Sequence, residues 1–229
     1  AEFPKEACGL VVADEYIACE NIAADPMNDF EIASEIVAPS IAAGSLQAII
    51  HSHPHTSYDV PSSPSKNDMQ GQIATNVPWG VIDTDGTVAA DPWWWGTDDL
   101  LEQPLLGRTF HHGIRDCYSL IRAYFWQKRA VLLPDFARGD GWWAGDENLY
   151  VDNFASAGFV KINRSELVDG DLVLGKVISN QKISHAGVYL DNREEGKGLL
   201  LHHLPGRLSC RQPAGPYINR AAMFLRYAP

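Results

Sequence analysis

Positive charge is in short supply in this sequence: 18 lysines and arginines stand against 29 aspartates and glutamates, for a net charge of −11. A nucleic-acid footprint needs clustered basic side chains to displace phosphate counterions, so nucleic acid is excluded as a direct ligand. Long hydrophobic runs are also missing. No stretch approaches the ~20 apolar residues that cross a bilayer. No signal-peptide pattern opens the sequence, which starts without methionine at Ala1-Glu2-Phe3-Pro4, as a processed or partial product does. Cysteine is scarce, and Cys8, Cys19, Cys117 and Cys210 form no CxxC pair. That excludes a zinc ribbon and a dithiol redox site, and a chain this long needs no disulfide framework. Internal repeats and low-complexity tracts are absent too.

What is present is an apolar fraction of 45%, enough for one large core or two modest ones. The composition changes near residues 91–108, where Pro92, Gly96, Pro104 and Gly107 with the acids Asp91, Asp98 and Asp99 interrupt any period. The expected organisation is a domain over residues 1–97, a linker over 98–106 and a second domain over 107–229. Before the boundary, residues 9–13, 46–50 and 79–83 read as strands, Ser65 to about Thr75 has polar helix character, and Asp85-Gly86 reads as a turn. After it, Cys117, Leu120, Ile121, Tyr124 and Phe125 recur at the spacing of a helix with one buried face. Residues 171–174, 183–190 and 199–203 read as strands, with a polar turn at 191–196. Each half is therefore expected to be α+β.

In the first half, His51-Ser52-His53-Pro54 follows an apolar strand. Residues i and i+2 of an extended chain point to one side, so both imidazoles can converge. Asp68 follows in Ser65-Lys66-Asn67-Asp68, and on a helical turn Ser65 and Asp68 share a face. Two imidazoles and a carboxylate leave a fourth tetrahedral position open, the pattern of catalytic rather than structural zinc. His55 and Asp59 lie in the intervening loop as competing ligands.

In the second half, Cys117 stands at the start of the helix, where the dipole is expected to lower its pKa and favour the thiolate. His185, in Ser184-His185-Ala186-Gly187-Val188-Tyr189, is the imidazole to activate it. Gly187 is expected to leave room for a close approach on the same face. His202, at the end of the next strand, is the group to orient that imidazole.

The run His-x-His-Pro, ten residues, then Ser-x-x-Asp resembles the JAMM (Mov34-type) metallopeptidases, as does Glu6-Ala7-Cys8-Gly9-Leu10 ahead of it. That resemblance implies an α/β/α metallopeptidase fold with zinc (Zn2+) on His51, His53 and Asp68. It also makes Glu6 the general base and has Ser65 hold the oxyanion. The stretches around Asp116-Cys117, Asp169-Gly170-Asp171 and Ser184-His185-Ala186-Gly187 look like the NlpC-type cysteine peptidases, in that family's order. This implies a papain-like core with Cys117 as nucleophile, His185 as base and His202, or alternatively His203, as the third residue. The usual substrates of such peptidases are peptidoglycan peptides.

A JAMM module followed by an NlpC module resembles tail assembly proteins of lambda-like siphophages, as does the segment Leu201 to Ser209. The implied setting is a virion tail tip made in the host cytoplasm. It would act at the host cell wall beside other tail-tip proteins, with the metallopeptidase target open. Two alternatives stand: a structural tail-tip subunit that docks without turnover, and a bacterial cell-wall remodelling peptidase. His111 and His112 read as loop surface, or as lining of the thiol cleft. Trp93-Trp94-Trp95 and Trp142-Trp143 read as packing or interface residues rather than a glycan site.

Overall fold

Cys8 and Leu10 alternate inward along strand β1 (Cys8–Val12), which pairs antiparallel with β2 (Glu15–Cys19) and with β3 (Leu46–Pro54). Helix α1 (Ser34–Ala42) precedes β3. The pairing of β3 with β4 (Trp79–Thr84) is parallel and therefore needs a crossover, which α2 (Lys66–Thr75) supplies. Strand β5 (Trp93–Trp95) completes a sheet of order β2-β1-β3-β4-β5. The computed structural model describes residues 2–55, 62–97, 99–179, 181–191 and 198–229. Of the positions singled out in the sequence, Asp59, Asp98 and most of the turn at 191–196 lie outside the described residues.

The chain divides into two compact units, residues 1–100 and 101–229, each mixing helices with a sheet. The stretch expected to be irregular is largely structured. Trp93–Trp95, at the end of the expected first domain, pairs with β4 and Trp95 is buried, as large aromatic residues suit a half-buried strand. Residues 99–102 form the short helix α3 (Asp99–Glu102), and Leu101 and Leu105 are buried in the core of the second unit. Apolar side chains at those positions override the Pro and Gly signals around them.

The second unit's sheet has the order β10-β9-β8-β7-β11-β6, with every pairing antiparallel. Its strands are β6 (Phe159–Ile162), β7 (Leu172–Gly175), β8 (His185–Leu190), β9 (Leu199–His202), β10 (Cys210–Pro213) and β11 (Ala221–Tyr227). The short helix α5 (Leu149–Asn153) precedes β6, and α6 (Gly215–Ile218) lies between β10 and β11. Helix α4 (Cys117–Arg129) lays Leu120, Ile121, Tyr124 and Phe125 on the sheet against Leu172, Leu174, Ala186, Val188 and Leu201. Four side chains of that size each contribute roughly 1.5–3 kcal/mol on burial, which anchors the helix.

Asp116 starts α4 by accepting the Ser119 amide at 2.9 Å, and Ala130 ends it in the left-handed region at φ 52°. Strand β8 begins two residues later than the apolar pattern indicates. Just before it, the Ser184 hydroxyl oxygen accepts the amides of Ile178 and Ser179 while its own amide donates to the Gly175 carbonyl. Among the described residues no helix is long and apolar enough to cross a membrane.

Candidate functional sites

In the first unit, β3 presents His51 and His53 at its C-terminal end, as the period of two requires. The residues of Ser65-x-x-Asp68 cap α2 reciprocally: the Ser65 oxygen accepts the Asp68 amide at 3.0 Å, and the Asp68 carboxylate accepts the Ser65 amide at 2.7 Å. The same cap aims Asp68 at both rings. Its oxygens lie 3.3 Å from His51 Nε2 and 3.4 Å from His53 Nε2, and the two Nε2 atoms are 3.0 Å apart.

The 3.0 Å separation of the two imidazole nitrogens is near the ligand–ligand edge of roughly 3.3 Å in a tetrahedral zinc site, and each nitrogen faces a different oxygen of Asp68. Glu6 is buried just ahead of β1. One ligand atom each from Glu6, His51 and His53 also falls within 4.8 Å of the others. The Glu6 oxygen is nevertheless 3.9 Å from His53 Nε2, longer than a tetrahedral edge. Asp68 therefore comes closer to both imidazoles than Glu6 comes to His53. His55 lies outside that cluster, while Ser65, half-buried, sits next to it at the start of α2.

The electrostatics follow from burial and proximity. Burial raises the Glu6 carboxyl to about 7, against the pull of His53. Burial opposes ionisation of Asp68 as well, but hydrogen bonds from His51 and His53 hold its pKa below the usual range. Burial lowers His51, whereas His53, although also buried, is raised by Asp68.

Three features of this site were not read from the sequence. His53 Nδ1 lies 2.8 Å from the Ser62 hydroxyl, which in turn donates to Asp83 on β4. The Phe30 ring stacks on His51 at 4.3 Å. Trp79 and Trp95 stand edge-on to the same imidazole. The Ser62–Asp83 contact depends on strand pairing across twenty-one residues, so no local pattern announces it.

In the second unit, Cys117 and His185 line one cavity of about 60 Å³ with an apolar wall that includes Trp142, Trp143 and Tyr150. His185 Nε2 is 3.1 Å from His202 Nδ1, and His185 Nδ1 is buried with no hydrogen-bond partner among the described residues. His203 turns the other way, into the Cys117 cavity, with Nε2 3.1 Å from the Arg207 carbonyl. The structure therefore joins His202, not His203, to His185. His111 and His112 are both buried rather than on a loop surface, and His112 reaches the carbonyl of Arg138 at 3.0 Å.

The lowered thiol pKa expected from the helix N-terminus is not found. Burial pushes Cys117 up to about 11, and the carboxylate of Asp116 adds to the rise. The residue that starts the helix thus opposes the dipole it helps create. The thiol's partner is Tyr150, whose hydroxyl lies 3.2 Å away and which the sequence did not single out. Burial also lowers His185 to about 3, and His202 and His203 contribute in the same direction. Both shifts favour the uncharged thiol and the uncharged imidazole.

Gly187 does not open a path for a ligand either. A side chain there would meet Leu200 and the Cβ of His202 at 2.8 and 3.0 Å, so the glycine makes room for the neighbouring strand β9. Beneath the thiol, Asp116 is paired with Arg138 at 2.7 Å, and both are buried.

A family model described as the NlpC/P60 family matches residues 92–226. Two relatives named tail tip assembly protein K were found. That of Escherichia phage N15 is 34% identical, over 99% of this chain and 90% of that protein. That of Escherichia phage lambda is 33% identical, over 74% of this chain and 75% of that protein.

Proposed function

The chain belongs to the NlpC/P60 family, and from that premise we propose that its second unit is a cysteine peptidase cutting the short peptides of peptidoglycan on behalf of a phage tail tip. The observation that carries the reading is a shared cavity: Cys117 and His185 both line it, and His202 lies against His185 Nε2. The thiol proton passes from Cys117 Sγ to His185 Nδ1 as the sulfur attacks a peptide carbonyl. The amine leaves with that proton, and a thioester remains on Cys117. Water, losing a proton to His185, then releases the acid and restores the thiol. His202 keeps the ring in place while it carries the charge.

For the first unit we propose a zinc-dependent peptidase of the JAMM type. His51, His53 and Asp68 would hold the ion, since two imidazoles and a carboxylate are a zinc donor set and the Asp68 oxygens lie 3.3 and 3.4 Å from the two rings. A zinc ion held there supplies a Lewis acid for a carbonyl oxygen and a more acidic water. Glu6, raised by burial, is suited to accept and return a proton. Ser65 accepts the Asp68 amide through its oxygen, so its own hydrogen is left to donate to an oxyanion. Neighbouring tail-tip proteins are the proposed partners, given the names of the two relatives.

Zymography on purified peptidoglycan tests the cysteine peptidase. Clearing by the intact chain and none by Cys117→Ala is the expected pair of results. Equal clearing by both ends the assignment.

A further inference from the structure

The chain of contacts behind His185 does not stop at His202. His202 Nε2 lies 3.2 Å from Gln212 Oε1 on β10, and the same oxygen accepts the Tyr217 hydroxyl from α6 at 2.6 Å. The His202 ring also stands edge-on to Tyr217, with centroids 4.7 Å apart. Four side chains therefore run in a line from the cavity to the outer strand of the sheet.

We propose that Gln212, braced by Tyr217, is a positioning residue that sets the tautomer of both histidines, leaving the lone pair of His185 on Nδ1. An amide oxygen carries no hydrogen, so His202 Nε2 must donate to it. A neutral His202 then offers a lone pair at Nδ1, and His185 Nε2 must donate across the 3.1 Å contact. The hydrogen of His185 is thereby placed on Nε2. Its Nδ1, buried and without a hydrogen-bond partner among the described residues, keeps the electron pair that a thiol proton requires. Reversing any one donor in the line reverses the rest, so the identity of the group at position 212 decides which nitrogen of His185 is basic. A serine or leucine at position 212 would lose that instruction while leaving the thiol and both rings in the chain.

The proposal rests on the cysteine-peptidase reading for its consequence in activity, but not for its spectroscopic content. The ring nitrogens of His185 and His202 can be assigned by ¹⁵N-resolved imidazole NMR on the full chain, with His185→Asn and His202→Asn as assignment controls. The expected spectrum has both rings protonated at Nε2. A His185 protonated at Nδ1 overturns the proposal even if the enzyme clears peptidoglycan. The expected tautomers in a chain that never cleaves peptidoglycan would refute the peptidase and leave the relay standing.

Gln212→Leu should lower kcat on peptidoglycan peptides by roughly 10–100-fold, the loss typical of removing an outer orienting partner, with KM little changed. Gln212→Glu, which keeps an acceptor oxygen, should restore the tautomers and shift the acidic limb of the pH profile upward. Tyr217→Phe frees the amide to rotate and serves as the milder variant should Gln212→Leu not fold; it is expected to mix the two tautomers. Unchanged tautomers and an unchanged kcat in both Gln212→Leu and Tyr217→Phe would refute the role.

Discussion

The guanidinium of Arg138 meets the carboxylate of Asp116 at 2.7 Å directly below the helix that carries Cys117, and the same guanidinium reaches Asp135 at 2.8 Å and the Gly113 carbonyl at 3.0 Å. Asp116 accepts the amides of Gly113 and Ser119 as well, so one buried carboxylate ties a loop, a helix start and a distant arginine together. Arg138→Leu leaves that carboxylate buried without its counter-charge. It should destabilise the second unit by about 3–5 kcal/mol, as removing one member of a buried pair does. Urea unfolding checks this, and a loss below about 1 kcal/mol would show the pair to be ornamental.

Acid should weaken the second unit well before its carboxylates are fully neutralised. His185 has its pKa lowered to about 3 from 6.5, and His202 and His203 are lowered by burial too. A histidine buried neutral binds fewer protons folded than unfolded, so stability is intact above about 6.5 and falls as the pH drops toward 3. The slope is at most about 1.4 kcal/mol per pH unit for each such ring. Asp116 acts in the same sense further down, since its depressed pKa favours the fold above the ordinary carboxylate range. Thermal melts at pH 7, 6, 5 and 4 should show a decreasing Tm, less steep in His185→Asn. A Tm constant across that range contradicts the burial of neutral rings.

Alkylation of the free chain by iodoacetamide reports the resting state of the thiol. With Cys117 raised to about 11 and His185 lowered to about 3, the rate at Cys117 should be low at pH 7 and climb through the alkaline range. A rate already at its plateau at pH 6, measured by mass spectrometry of the Cys117 peptide, would instead reveal a preformed thiolate–imidazolium pair. Tyr150→Phe removes the hydroxyl that now meets the sulfur and should change the alkaline limb.

In the first unit, elemental analysis should find about one zinc per chain, lost in His51→Ala. Ser62 and Asp83 fix the orientation of His53 from outside the cluster. Asp83→Ala is therefore expected to weaken zinc about 10–100-fold without removing a ligand. Competition with a chromophoric chelator measures this. Undiminished affinity would show that the Ser62–Asp83 contact does not serve the imidazole.

Local periods made much of this legible. A repeat of two put His51 and His53 on one face of β3, and a repeat of about 3.6 put Leu120, Ile121, Tyr124 and Phe125 on the buried face of α4. The Ser65–Asp68 spacing is itself a helix-capping pattern, so it signalled both the start of α2 and the aim of the carboxylate. Contacts made by strands and loops far apart in sequence were not legible. Tyr150 reaches Cys117 across 33 residues and Arg138 reaches Asp116 across 22, with no motif to mark either. The thiol pKa was misread because the dipole was counted and the adjacent carboxylate and burial were not. The tryptophans at 93–95 were read as packing residues, and Trp95 is buried, but their pairing with β4 had no local pattern to announce it.

Strand β10 is only four residues long and borders solvent on one side of the six-stranded sheet. Because Gln212 sits on it, fraying at that margin would silence the distant sulfur while the core remained folded. Inactivation by mild warming or by nicking near Pro213 should therefore precede the loss of protected amides in α4, separating working order from structural integrity in time.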